Sequence, residues 1–238
     1  MHDAEQTTDD PDRRPLRSRG VPVFGVMASA LARRGVTPNV VSVVSMVFAF
    51  VGAGLMVGAA YADHALAVRA MLLLAAAMVQ GRLLCNMLDG MVADHLAGGT
   101  LIGRLFNEVP DRVSDTVLLL GLGWLVASPV DFYLGALAAC VAALTAYIRA
   151  MAREVGAAAP FHGPMAKPQR MALLTAVLLA LAFLPHAWLI GWWGPEGRWG
   201  LVESALWAVT IGGVVTCWRR LMSIAAHANA VGGKDDHA

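Results

Sequence analysis

Residues 36–62 carry no charged side chain before Asp63 interrupts them, and roughly 20 apolar residues suffice to cross a bilayer as a helix. That run is a first membrane span. A second follows over about residues 65–91, broken by Arg69 near one end and by Arg82, Asn86 and Asp89 near the other. The third, about residues 103–127, holds its polar residues in its first half. Pro129 and Asp131 mark a turn into a fourth, which ends near Arg149. Residues 171–195 form another uncharged run, punctuated at its end by Gly191, Gly194 and Pro195, and the last span covers about residues 201–218. The pattern predicts an all-α integral membrane bundle of six transmembrane helices with both termini on one side. Residues 21–34, ahead of Pro38, read as a short interfacial helix, with a plain linker as the alternative.

Charge sets the orientation. With the N-terminus in the cytoplasm, Arg33, Arg34, the connection from Arg82 to Arg112, Arg149, Arg153, Lys167, Arg170, Arg219 and Arg220 all lie on or near the inner side, and Arg69 and Arg198 face out. This is the asymmetry of the positive-inside rule. Trp188, Trp192, Trp193 and Trp199 at the opposite edge resemble an aromatic belt. Residues 1–20 lack the apolar core of a secretory signal and read as a disordered cytoplasmic tail. Residues 21–225 are then one membrane domain, and 226–238 a second disordered tail.

Composition agrees with the pattern. The 238 residues are 58% hydrophobic and 15% charged, where a soluble domain has about a quarter charged, and mean hydropathy is +0.60. The formal net charge is only +1, and nucleic acid is not an expected partner. Cys85, Cys140 and Cys217 have no zinc or redox spacing and read as small core residues. Gly54 and Gly58 form a small-xxx-small pair on the first span, suited either to tight packing inside the bundle or to dimerisation. His95 and His162 read as loop residues without metal-ligand spacing.

Against this background the stretch from 86 to 115 is unusually polar. On a helix, positions three and four apart share a face, so Arg82, Asn86 and Asp89 form one stripe, with Gly90 and Ala93 leaving a hollow beside it. On the next helix Gly103, Asn107, Asp111 and Asp115 recur every fourth residue. Two such stripes facing each other gather carboxylate and amide oxygens, the ligands that Mg2+ or Mn2+ prefers. Pro110 leaves two readings: a kink within the second helix, or a helix that begins near it, with Asn107 in a preceding turn. Polar groups of this kind at a membrane boundary are costly and usually functional.

The stretch resembles the signature of the CDP-alcohol phosphatidyltransferase family, D-x2-D-G-x2-A-R-x8-G-x3-D-x3-D. Without any gap, Asn86 stands at the first Asp, Asp89 and Gly90 at the D-G pair, Ala93 at the Ala and Asp94 at the Arg. Gly103 matches the later Gly, Asn107 stands at the third Asp and Asp111 matches the fourth. Upstream, GVTPNVVS with Pro38 and Asn39 is similar to the family's entrance to its first helix, so the likeness covers about residues 35–220.

The resemblance implies transfer of a phosphatidyl or other substituted phosphate from a CDP-linked donor, such as CDP-diacylglycerol, to a small alcohol or alcohol phosphate, with release of CMP. It implies Mg2+ or Mn2+ on Asn86, Asp89, Asn107 and Asp111, with Asp111 as the base and Asp115 as its possible stand-in. Gly90 and Ala93 would make room for the cytidine, and Gly103 belongs to the same motif. Arg82, Arg104 or Arg112 would replace the missing motif Arg, while Lys167 and Arg170 would hold an anionic acceptor or the donor phosphates. Membrane lipids and a second copy of the chain are the further partners it implies. The rival expectation is a non-catalytic membrane binding or assembly module whose metal site the two Asn replacements have weakened. A transporter fits less well, because the middles of the first, fourth and fifth spans lack acidic groups.

Overall fold

The structure, a computed structural model, describes residues 22–95, 101–157, 160, 163–184 and 200–235, with side chains left out at 95, 101–107 and 231–235. Among the described residues there are seven helices and no strand: α1 Pro22–Arg33, α2 Pro38–Ala60, α3 Ala65–His95, α4 Leu101–Trp124, α5 Pro129–Glu154, α6 Lys167–Phe183 and α7 Leu201–Asp235. Four of them, Pro38–Ala60, Ala65–Asp94, Pro129–Glu154 and Leu201–Ala230, are long and apolar enough to cross a membrane, which makes the chain an integral membrane protein. The expected count of six is not reached on this criterion. In α4, Glu108, Asp111, Arg112 and Asp115 crowd one half. In α6 the described helix has 17 residues, about 25 Å at 1.5 Å per residue. The rest of that expected span, with Trp188, Trp192, Trp193, Arg198 and Trp199, lies outside the described residues, as do residues 1–20 and His162.

Local chemistry explains where helices start and stop. Gly35, at φ +74°, ends α1: its N–H donates to Ala32 O at 3.0 Å and Val36 N–H to Leu31 O at 3.1 Å, the paired bonds of a Schellman cap that require a left-handed residue. Thr37 then caps α2, its Oγ1 accepting from Val40 N–H at 3.4 Å, with Pro38 in the first turn, where its missing N–H costs nothing. Pro110 lies inside α4, so the reading in which a helix starts there is set aside, and Asn107 and Asp111 share one helix. α7 runs on to Asp235: the alanine-rich stretch after Trp218 has good helix formers and meets no glycine until Gly232.

Small residues let the helices approach. A Cβ at Gly121 of α4 would stand 2.9 Å from Ala53 Cα of α2, and one at Gly135 of α5 would stand 2.7 Å from Leu119 O of α4. In a bilayer, where apolar burial gives little drive between helices, such close packing is a main source of association. Met56, Leu118, Leu119, Leu122, Met171, Leu174, Leu178 and Leu206 fill the centre. A smaller cluster of Ala28, Val41, Cys85, Leu88 and Val92 seats α1 against α2 and α3. Valines 40, 43, 44 and 47 with Phe50 on α2, and Ile211, Val214 and Trp218 on α7, point outward, an apolar exterior that suits lipid.

Candidate active site

The polar stripes of α3 and α4 meet at one end of the bundle, and two serines of α2 complete them. Ser42 Oγ donates to Asp89 Oδ2 at 3.0 Å, and Ser45 Oγ lies 2.8 Å from Asn86 Oδ1. Sequence reasoning missed both serines, although their three-residue spacing on an otherwise apolar helix was a signal. Asp89 is 4% exposed and faces this α2 contact, while Asn86, one turn earlier, opens on a cleft of about 470 Å³. Asp111 opens on the same cleft. Gly90 and Ala93 are half-buried further along α3 and stand apart from that lining, and Asp94 is exposed.

Asp115 has both oxygens engaged. Arg82 Nη2 of α3 stands 2.7 Å from Oδ1 and Arg170 Nη2 of α6 stands 2.7 Å from Oδ2. The three side chains are 3%, 0% and 2% exposed, so this is a buried Arg–Asp–Arg bridge across α3, α4 and α6. Arg170 Nη1 also donates to Met165 O at 3.0 Å and to Thr145 Oγ1 at 3.3 Å. From α7, Arg220 Nη1 donates to Thr145 O at 2.6 Å. Asp111 is held from α6 as well: Lys167 Nζ stands 2.5 Å from its Oδ2, and Arg82 Nη2 is 3.5 Å from its Oδ1. At the rim Glu108 joins Arg112 Nη2 at 2.8 Å to Arg149 Nη2 at 2.6 Å.

Among the described residues, the charged lining of the cleft consists of one carboxylate, Asp111, and five bases, Arg112, Arg149, Lys167, Arg170 and Arg220. Phe24, Leu83, Leu84 and Met87 give it an apolar side. Such a space takes an anionic head attached to something greasy. The side chains of Arg104 and Asn107 lie outside the described residues, and so does the surrounding of Gly103.

Whether the donors suit a divalent cation turns on Asn86. Its Nδ2 is buried without a partner, while Ser45 Oγ has two acceptors in reach, Asn86 Oδ1 and the Arg82 carbonyl at 3.5 Å. A hydroxyl has one proton, and the two ends of an amide are assigned from the hydrogen-bond network. Turned over, Nδ2 donates to Ser45 Oγ, the hydroxyl donates to the Arg82 carbonyl, and Oδ1 is presented as a ligand. Asp111 adds carboxylate oxygens at the cleft, and Asp89 lies on the same stripe of α3 as Asn86, with its Oδ2 accepting from Ser42 Oγ. This is a hard-oxygen set suited to Mg2+ or Mn2+, although no group of three or more His, Cys, Asp or Glu side chains occurs among the described residues.

The fold has solved counterparts. Mycobacterium tuberculosis phosphatidylinositol phosphate synthase with CDP-DAG bound superposes with a TM-score of 0.67 at 23% identity, covering 86% of this chain and 94% of that one. The same enzyme in complex with manganese and citrate gives 0.66 at 24% identity, over 84% and 88%. In sequence, the phosphatidylinositol phosphate synthase of Mycolicibacterium smegmatis is 27% identical over 204 residues, 83% of this chain and 82% of its own length. No family model matches the chain. At these identities the structures establish a shared fold.

Proposed function

We propose that the protein is a CDP-alcohol phosphatidyltransferase: it moves a phosphatidyl or other substituted phosphate group from a CDP-linked donor such as CDP-diacylglycerol to an alcohol, releasing CMP, in phospholipid biosynthesis. The observation that carries this reading is that Asn86 and Asp111, from two different helices, open on one cleft with five basic side chains around them. The relatives' shared name, phosphatidylinositol phosphate synthase, and the CDP-DAG bound in a structure of this fold support the donor class. The basic lining favours an acceptor that itself carries a phosphate.

Asn86, Asp89 and Asp111, with Asn107 on the same helix as Asp111, would hold Mg2+ or Mn2+, the ion supplying neutralisation and polarisation of the diphosphate when bound. Asp111 takes the proton of the acceptor hydroxyl. The freed oxygen forms a bond to the phosphorus that carries the lipid, and the phosphoanhydride bond breaks with its electron pair leaving on CMP. Lys167 pairs with Asp111 and, with Arg112, Arg149, Arg170 and Arg220, orients the anionic groups. Asp115 is a positioning residue, since both its oxygens are already held, and it keeps Arg82 and Arg170 in place. Gly90 and Ala93, further along α3, would take the cytidine end of the donor.

In the membrane, α1 lies along the inner surface and α2 to α7 make six crossings, with both termini and the cleft cytoplasmic and two chains forming a homodimer. Donor tails then stay in the bilayer while the head reaches the cleft. Purified protein given Mn2+ or Mg2+, CDP-diacylglycerol and a panel of inositol phosphate, glycerol phosphate and serine is expected to release CMP with at least one acceptor. Nucleotide binding without CMP release from any of them would instead make the chain a non-catalytic binding module.

A further inference from the structure

Two divalent ions bring four positive charges, and a site for a pair normally supplies several carboxylates, one of them bridging. The motif that this chain resembles has four aspartates, whereas Asn86 and Asn107 leave Asp89 and Asp111. The neighbouring acids do not make good the loss. Asp115 has Arg82 on one oxygen and Arg170 on the other. Glu108 is shared by Arg112 and Arg149. Positive charge, by contrast, is already built in beside Asp111: Lys167 Nζ pairs with its Oδ2. Lys167 opens α6, where backbone N–H groups add to the positive potential. Its side chain is 24% exposed and lines the cleft, so a ligand can reach it.

We propose that this chain holds one divalent cation, and that the Lys167 ammonium supplies, beside Asp111, the positive charge that a second ion would otherwise bring to the donor's diphosphate. The inference rests on the CDP-linked donor of the transferase reading. An ammonium is a compact point charge with three donors. It can keep its bond to Asp111 while donating to a diphosphate oxygen, which neutralises the donor without two further carboxylates. It also accounts for two asparagines standing where a metal pair needs acids: with a fixed cation in place, four aspartates would leave the site too negative for a diphosphate.

Manganese stoichiometry by titration calorimetry and electron paramagnetic resonance on the purified full-length protein tests this, with CDP binding and CMP release measured on the same preparations. Wild type is expected to bind one Mn2+ per chain with an uncoupled spectrum. N86D/N107D/K167M is expected to bind two, with the broadened signal of a spin-coupled pair. Lys167→Met alone should retain its Mn2+ yet bind CDP about tenfold more weakly in saturating Mn2+, the loss of one charge-assisted hydrogen bond, and Lys167→Arg should retain CDP affinity, which separates charge from misfolding. Two coupled ions in wild type that releases CMP would overturn the single-ion inference and leave the transferase reading standing. Unchanged CDP affinity in Lys167→Met would overturn it as well. One ion, with lysine-dependent CDP binding but no CMP release, would support it and remove the transferase reading.

Discussion

Replacing Asp115 by Asn removes the charge that holds two buried guanidinium groups together. Arg82 is 0% and Arg170 2% exposed, so neither can turn to water when its partner is lost. The amide can still accept one hydrogen bond, but its NH2 end would face the N–H groups of the other arginine across a gap that is now 2.7 Å on each side. Breaking a buried ion pair by removing one partner costs about 3–5 kcal/mol, a large share of a typical stability of about 5–15 kcal/mol. With roughly 2–4 °C per kcal/mol for a chain of this size, the midpoint should fall by on the order of 10 °C. Thermal unfolding in detergent, followed with a thiol-reactive fluorophore, is the assay: Cys85 and Cys217 are buried and report unfolding, while Cys140 is exposed and sets the starting signal. Adding Arg82→Met should recover part of the loss, because one uncompensated guanidinium is removed and Arg170 keeps Met165 O and Thr145 Oγ1. A midpoint for Asp115→Asn within about 2 °C of wild type, less than about 1 kcal/mol, would refute the buried bridge.

Gly135→Ala puts a Cβ 2.7 Å from the Leu119 carbonyl and should lower stability by about 1–3 kcal/mol through overpacking between α4 and α5, read in the same melting assay. Glu108→Gln releases Arg112 and Arg149 at the rim; with Glu108 40% exposed, stability should change by less than about 1 kcal/mol, while KM for a phosphorylated acceptor falls at low salt and the difference fades at high salt. Chelation of divalent ions should abolish CMP release, and Mn2+ or Mg2+ in excess should restore it.

Much of the helical framework was legible because it is written in local pattern. Uncharged runs mark α2, α5 and α7, and Thr37 with Pro38 marks the start of α2. The stripe Arg82, Asn86, Asp89 follows from helical spacing alone, as does the placement of Asp111 one turn from Asp115. Partners across helices are another matter. Asp115 meets residues 33 and 55 positions away, and no periodicity says that both of its oxygens will be taken by arginines. Ser42 and Ser45 meet Asp89 and Asn86, more than 40 positions away, which the spacing within α2 does not specify. Whether α4 begins at Pro110 was equally undecidable, since a proline fits the first turn of a helix or a tolerated break within one. The last turns of α7 were hard to read for the opposite reason: the described residues after Trp218 are mostly exposed, so helix propensity, and not burial, carries them.

The proposed removal of the acceptor proton by Asp111 is open to direct measurement. Wild type and Asp111→Asn, each saturated with Mn2+ and with CDP-diacylglycerol binding verified, are incubated with inositol phosphate, and the lipid product and CMP are quantified by mass spectrometry. Wild type should yield lipid product and CMP in equal amounts, and Asp111→Asn should be slower by about 10²–10⁴, the usual worth of a general base, with donor binding retained. Equal rates in the two proteins, or no lipid product from wild type, would contradict it.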